Sequence, residues 1–478
     1  MQVGIVKLKK YVLGIAGVIA CILFMYVFKA PVSLQIRAIE AGSSGQEAMI
    51  VLGITFLSIA WWVGEVVPEW LTSIVMMILW VLFGKVPFNV SFSSFAGQSV
   101  WLIVGAFCLA RAVTKTGLFE RIAYLLIKAF SPTFNGQVLA MLVVGTICSP
   151  LIPSVTAKTV LGSTIAYNVA NAMGYAENSR ERYGIFLASW FGFGLTACAF
   201  KTGSIQGYTL YGALPYEVSS KLSFANWFVA MIPWLVILLI CSYFALKLLY
   251  KPKREHLLKS NSILDYDKFG KMSNEERATA AILFFTIILW ILEIKLNINA
   301  SITALLAAFL CFLFKILDTK ELSTAVPWDM VIYLGGVLNL GNVFAMVGLD
   351  TWLQNIVSPF FENINNIYLI ITLIIAAVLL VRLILVSQNA TIVIMLTVLS
   401  PVLKPFGMSP FIVGMIIYTV QPCWFLPYQN VIFSAGLNLA GMNNIDYNKT
   451  MKACFAYEII NFIAIFASIP YWRLLGYM

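Results

Sequence analysis

Two short polar runs interrupt a chain that is otherwise apolar: Pro150-Leu-Ile-Pro-Ser-Val-Thr-Ala-Lys-Thr159 and Ser387-Gln-Asn-Ala-Thr391. Apolar arms flank each run, at 138–148 and 160–169 around the first and at 367–386 and 392–403 around the second. Arm, polar tip and arm is the pattern of a hairpin that enters a bilayer and returns on the same side. Polar non-helical backbone at membrane depth is tolerated only where it is buried in protein or lines a cavity. Hydroxyls, amides and helix-terminal N–H groups would converge at such tips, a donor set that suits carboxylate oxygens. Candidate binding residues are therefore Ser154, Val155 and Thr156 at one tip, and Ser387, Gln388 and Asn389 at the other. The bland reading, hydroxyls that merely glue helices together, does not explain two tips at equivalent places in a repeat.

Two more breaks follow the hairpins. Phe200-Lys-Thr-Gly-Ser-Ile-Gln-Gly207 interrupts the apolar run 183–222, and Gln421-Pro-Cys-Trp-Phe-Leu-Pro-Tyr-Gln-Asn430 interrupts 409–440. Broken helices of this kind build midplane sites in secondary transporters. Three cations lie close by: Lys158 just past the first tip, Lys201 in the first break, and Arg382 five residues before Ser387. Ionisable groups at membrane depth are costly and are functional candidates by default. Lys201 either serves the site or snorkels and pairs locally; Arg382 either neutralises substrate or braces the hairpin arm. Carboxylates are absent between Glu120 and Glu177, Glu181 and Glu217, and Glu362 and Asp446, and the single His256 lies in a loop, which disfavours proton coupling.

The elements that must position these residues follow from composition. Of 478 residues, 61% are hydrophobic and 11% charged, against about 25% charged in soluble domains. This is an all-α polytopic membrane protein, with the lipid bilayer as its solvent. The net charge of +10 gathers in short loops, a topology signal and not a nucleic-acid surface. Eight cysteines without a CxxC and one histidine exclude a zinc site, and no metal is expected. No catalytic motif or acid pair at depth supports an enzyme.

About 20 apolar residues span a bilayer. Spans are expected near 11–28, 46–66, 69–86, 100–128, 224–250, 276–296, 300–316, 328–348 and 451–475. With the broken helices 183–222 and 409–440, this makes about eleven transmembrane segments plus two re-entrant hairpins, 134–172 and 366–404. Lys7, Lys9, Lys10 and the basic connector 251–259 place the N-terminus in the cytoplasm of a multi-pass cell-membrane protein. The chain divides into an N-terminal span and loop (1–45), a first repeat (46–250), a linker (251–275) and a second repeat (276–478). Gly105 to Leu118 aligns with Gly336 to Leu349 at an offset of 231, Ser154-Val-Thr-Ala with Ser387-Gln-Asn-Ala390 at 233, and Ser204-Ile-Gln-Gly207 loosely with Pro427-Tyr-Gln-Asn430. An odd number of spans between the matched segments makes the repeat inverted.

Over residues 46–475 the chain resembles the divalent-anion/sodium symporter family, which includes bacterial dicarboxylate and citrate carriers. That family carries Ser-Asn-Thr at both hairpin tips and a Gly/Thr-Pro-Pro-Asn-like loop after each. Gly64-Glu-Val-Val-Pro-Glu69 and Trp328-Asp-Met-Val-Ile-Tyr-Leu-Gly-Gly336 are similar to its signatures. By position the resemblance adds Gly203, Ser204, Pro427 and Asn430 to the substrate site. It implies a mobile transport domain, carrying hairpins and broken helices, that moves like an elevator against a dimeric scaffold of spans 46–86 and 276–316. The departures are specific: Val155 stands in place of an amide, Gln388 replaces Asn, and Asn389 sits where Thr is usual. Weakened sodium ligands beside lysine suggest that Lys201 foremost, or Lys158 or Arg382, replaces the sodium of relatives. A fixed charge makes the empty carrier reluctant to cross, so a sodium-independent exchanger of malate, succinate, 2-oxoglutarate or citrate is expected. A sodium-coupled dicarboxylate symporter and an anion channel are the alternatives. No cofactor is implied, and sodium is disfavoured.

Overall fold

The computed structural model describes residues 2–252, 257, 270–362, 364, 366–442 and 445–478, with backbone alone for 2–9 and 362. The side chains of Lys7 and Lys9, and most of the basic connector 251–259, lie outside the described residues.

Helices dominate, and no strand occurs among the described residues. In chain order the N-terminal span is α1 (Gln2–Ile22), and the first expected repeat contains α2 (Gly45–Gly64), α3 (Glu69–Leu82), α4 (Gln98–Lys115), α5 (Leu118–Ile127), α6 (Phe134–Cys148), α7 (Val155–Ala172), α8 (Arg180–Ser189), α9 (Ile205–Ala213) and α10 (Phe224–Tyr250). The second contains α11 (Asn274–Ile291), α12 (Ala300–Leu313), α13 (Trp328–Val337), α14 (Leu340–Met346), α15 (Leu349–Val357), α16 (Ile367–Arg382), α17 (Gln388–Leu403), α18 (Pro410–Val420), α19 (Val431–Leu439) and α20 (Tyr447–Leu474). Seven described helices are long and apolar enough to cross a membrane, and the bent pair α4–α5 makes an eighth. The shorter apolar helices include α3, α12, α16 and α18.

Polar caps set where these apolar helices begin, because each start leaves backbone N–H groups to satisfy. Ser44 and Glu47 form a capping box ahead of α2. Ser223 and Ser273 cap α10 and α11 through Asn226 N and Glu276 N, each at 3.0 Å.

Helix packing forms two bodies. A frame pairs α1 with α2, α3 with α13, α4 with α12, and α11 with α12. A hairpin body pairs α7 with α8 and α19, α9 with α17, α17 with α18, and α10 with α20. The bodies meet where α9 packs on α4 and α15 on α17. Basic residues mark one end of the molecule. There Arg121 clamps Glu276, Lys115 holds Glu321 at 2.6 Å, and Lys449 donates to Asn178 O at 3.0 Å.

Several boundaries differ from the sequence expectation. The span at 100–128 bends by 66° between α4 and α5, because Gly117 takes a left-handed conformation (φ 75°) there. Gly348, its counterpart at the offset of 231, does the same with φ 70°. The bend puts Arg111 and Lys115 on α4 and Glu120 and Arg121 on α5. The helix expected at 276–296 ends at Ile291, whereas the span expected at 328–348 is present as Trp328–Met346, with a short turn after Val337. The third repeat match shifts by three: Ser204 corresponds to Asn430, since these two residues cap α9 and α19.

Candidate functional site

Four helices begin at the centre of the hairpin body, and each start carries a side-chain cap. Ser154 accepts from Ala157 N at 3.2 Å at the head of α7, and Ser387 from Ala390 N at 3.3 Å at the head of α17. Ser204 accepts from Gly207 N at 3.2 Å at the head of α9, and Asn430 from Phe433 N at 3.1 Å at the head of α19. Residues from all four starts line one cavity of about 660 Å³ or the inner recess beside it. A helix N-terminus presents free N–H groups and a partial positive charge, so four of them together favour an anion.

The cavity brings together Thr156, Ser387, Gln388, Asn389 and Asn430. Val155 and Ser204 line the inner recess, together with Gln388 and Asn430. Ser154 and Gly203 act one layer behind, Ser154 as a helix cap and Gly203 through a carbonyl that accepts from Lys158. Pro427 stands apart: it lies on an exposed turn and lines neither space. At Gly203 the chain is too tight for a side chain, since a Cβ there would lie 2.3 Å from Ala197 O. Gly203→Ala is expected to displace the loop and lower the transport rate at least tenfold, measured in proteoliposomes against protein amount.

Two of the three candidate cations are surrounded by carbonyl oxygens. Lys158, fully buried, donates from Nζ to Gly203 O at 2.6 Å and to Ser149 O and Oγ at 3.3 Å each. It ties both arms of the first hairpin to the first break. Arg382, also fully buried, donates to Leu385 O at 2.6 Å, Val386 O at 2.5 Å and Gln421 O at 2.9 Å, and to Gln429 O. It ties the second tip to the second break in the same manner. Lys201 is turned away from the cavity: its ammonium lies 3.7 Å from Glu293 and 3.8 Å from the Tyr211 ring centroid.

Tertiary packing adds residues that the sequence reading did not single out. Gln206 donates to Gln388 Oε1 at 2.8 Å, Gln421 reaches the same oxygen at 3.5 Å, and Thr209 donates to Asn389 Oδ1 at 2.9 Å. Gln206 and Gln421 stand inside the two quoted breaks, and their amide chemistry was the available signal. Carboxylates also approach from outside the intervals found empty. Glu69 faces Ser387 across the cavity, whose mouth carries Glu65 and Lys10. Glu458 of α20 is buried beside Cys423 and Cys454 with neither oxygen hydrogen-bonded. No interval count could reveal these, because each comes from a helix distant in sequence.

Apolar helices of membrane-crossing length, with four capped helix starts gathered around a polar cavity, define a polytopic all-helical membrane protein. The model of the sodium:sulfate symporter transmembrane region matches residues 18–478, and the chain belongs to that family. Among curated relatives, a chloroplastic dicarboxylate transporter 1 of Arabidopsis thaliana is 28% identical over 59% of this chain. This chain spans about half of that relative, 52% of its length. The sodium-dependent dicarboxylate transporter SdcS of Staphylococcus aureus is 26% identical, over 64% of each chain. A membrane protein of Cupriavidus necator is 21% identical over 97% of this chain and 93% of its own. Among solved structures, Neisseria gonorrhoeae MtrF, described within a class of antimetabolite efflux pumps, aligns with a TM-score of 0.55 at 13% identity, covering 80% and 82% of the two chains. The Alcanivorax borkumensis YdaH transporter aligns at 0.51 and 13%, covering 81% and 87%. These two likenesses concern the fold alone.

Proposed function

We propose that the protein is a carrier that exchanges one small di- or tricarboxylate for another across the cell membrane without sodium. The observation that carries this reading is the filling of both oxygen cages by protein cations, Lys158 in the first repeat and Arg382 in the second. Carbonyl cages between hairpin tip and broken helix are the places where a coupling cation would be held. A tethered ammonium and a guanidinium hold them permanently. Together they contribute two positive charges, which a dicarboxylate balances. The unloaded site would carry those charges uncompensated through the bilayer, and charge at membrane depth is strongly disfavoured. Exchange then follows, because return requires a new anion.

Lys201, the residue first expected to fill this role, is neutralised by Glu293 and leaves it to Lys158 and Arg382. The names of the Arabidopsis and Staphylococcus relatives support dicarboxylates as the substrate class, with malate, succinate, 2-oxoglutarate and citrate as the probes. The hairpin body would move as an elevator against the frame, and the frame would pair two copies into a homodimer. The N-terminus would be cytoplasmic, with the basic end of the molecule on the same side.

The second reading, sodium symport, is favoured by the sodium dependence of SdcS. Proteoliposomes separate the two. Counterflow of labelled succinate is expected to stay within about twofold when choline replaces sodium, and to vanish when the lumen holds no dicarboxylate. Uptake into anion-free vesicles driven by an inward sodium gradient would overturn exchange. Saturable counterflow, as opposed to unitary currents, separates a carrier from a channel. A thermal-shift panel of the four anions at equal concentration ranks substrates, since a ligand stabilises more the further its concentration exceeds its Kd.

A further inference from the structure

Lys201 is a buried cation that the substrate site does not use. It is 1% exposed, and its Nζ donates to Leu222 O at 2.9 Å. It lies 3.8 Å from the Tyr211 ring centroid and 3.7 Å from Glu293 Oε1. Lys201, Tyr211 and Leu222 all belong to the hairpin body, whereas Glu293 belongs to the frame, in the turn after α11. The second oxygen of Glu293 accepts from Phe224 N at 3.1 Å, at the start of α10. Beside it the Phe224 ring stacks on Trp290 of α11, with centroids 6.0 Å apart at 22°. One frame carboxylate thus caps a helix of the hairpin body and neutralises that body's buried lysine.

The position of this contact matters. Glu293 follows the far end of α11 from Glu276, whose pairing with Arg121 marks the basic end. The 660 Å³ cavity is lined instead by Lys10, in the first half of α1, and by Glu65 and Glu69, which lie near Asp329 at the start of α13, just after Glu321 of the basic end. Contact at one end therefore coincides with opening of the tip-lined cavity at the other, while a cavity of about 580 Å³ at the contact's own end is lined by Tyr211 and Gln98 and by none of the tip residues. We propose that the Lys201–Glu293 pair, with the Phe224–Trp290 stack, is a latch that holds the carrier with its cavity open at the basic end. It must break each time the hairpin body moves along the frame. The proposal rests on the carrier reading above, in which the two bodies move relative to each other.

Breaking the pair leaves Lys201 with one carbonyl and one aromatic face in a desolvated place, which opposes release. The latch therefore sets the resting population, and removing the carboxylate should shift it toward the opposite opening. A labelling experiment reads that population without transport. Val431 lines the cavity and is 67% exposed. Cys241 is the one cysteine that is not buried. In a Cys241→Ala background, Val431→Cys is labelled in detergent with a membrane-impermeant maleimide. Adding Glu293→Gln is expected to slow labelling at least fivefold, and Glu293→Asp to restore most of the rate. Unchanged labelling in monodisperse Glu293→Gln protein would overturn the latch. Should Lys201→Met, the reciprocal variant, fail to fold, Glu293→Gln alone decides, because its side chain is partly exposed and keeps an oxygen for Phe224 N. Slowed labelling together with absent counterflow in the wild-type protein would uphold the latch and the movement of the two bodies, and overturn only the exchange mode of transport.

Discussion

Replacing Lys158 with alanine is expected to lower sodium-free exchange at least 100-fold, and to make what remains depend on sodium. The ammonium satisfies Gly203 O, Ser149 O and Ser149 Oγ inside a site with no exposure. Hydrogen bonds from a charged donor each contribute about 1.5–3 kcal/mol, and buried acceptors left without a partner cost about 1–3 kcal/mol each. Loss of even two such contacts exceeds 2.8 kcal/mol, about a factor of 100 at roughly 1.4 kcal/mol per decade. Three oxygens facing a space vacated by an ammonium also form a start for a small cation. Proteoliposome counterflow across a sodium titration measures both parts. Wild-type rates in the variant would remove Lys158 from the coupling role, and a low rate indifferent to sodium would remove the idea that its cage accepts a cation.

Arg382→Gln is expected to show the other large effect, and to show it in stability as much as in transport. The guanidinium bridges Leu385, Val386, Gln421 and Gln429 carbonyls, and its own carbonyl accepts from Gln429 Nε2 at 3.3 Å. A planar fork reaches such a set, whereas an ammonium is a single point. Arg382→Lys therefore keeps the charge but loses the span between tip and break. Removing a partner from a buried charged network costs about 3–5 kcal/mol. The thermal midpoint should fall by several degrees in Arg382→Gln and by less in Arg382→Lys, while both lose exchange at least tenfold. An unchanged midpoint with normal exchange would show that the second tip does not depend on this bridge.

Much of the fold was legible because the membrane imposes simple rules. Apolar runs had to be helices, and polar interruptions had to be buried or face a cavity. The offset that pairs Gly117 with Gly348 survives in three dimensions because both glycines adopt the same left-handed turn. Ser154 and Ser387 were legible for the same reason: a serine ahead of an apolar run is a helix cap. The register of the second break was not. The loose match set Ser204 against Pro427, and only the start of α19 shows that Asn430 is the cap while Pro427 is exposed.

The two polar tips and the candidate cations Lys158, Lys201 and Arg382 could thus be read from the sequence itself, since charge and hydroxyls inside apolar runs are visible without coordinates. Which cation serves which purpose was decided only by tertiary structure. Lys201 lies two residues from Gly203, yet its side chain leaves the site for Glu293, 92 positions further along the chain. Lys158 and Arg382 instead turn inward, because the hairpin tips and the broken helices surround them with carbonyl oxygens. Spacing along a chain says how near residues are in sequence; the direction a long side chain takes depends on which distant helix offers it a counter-charge.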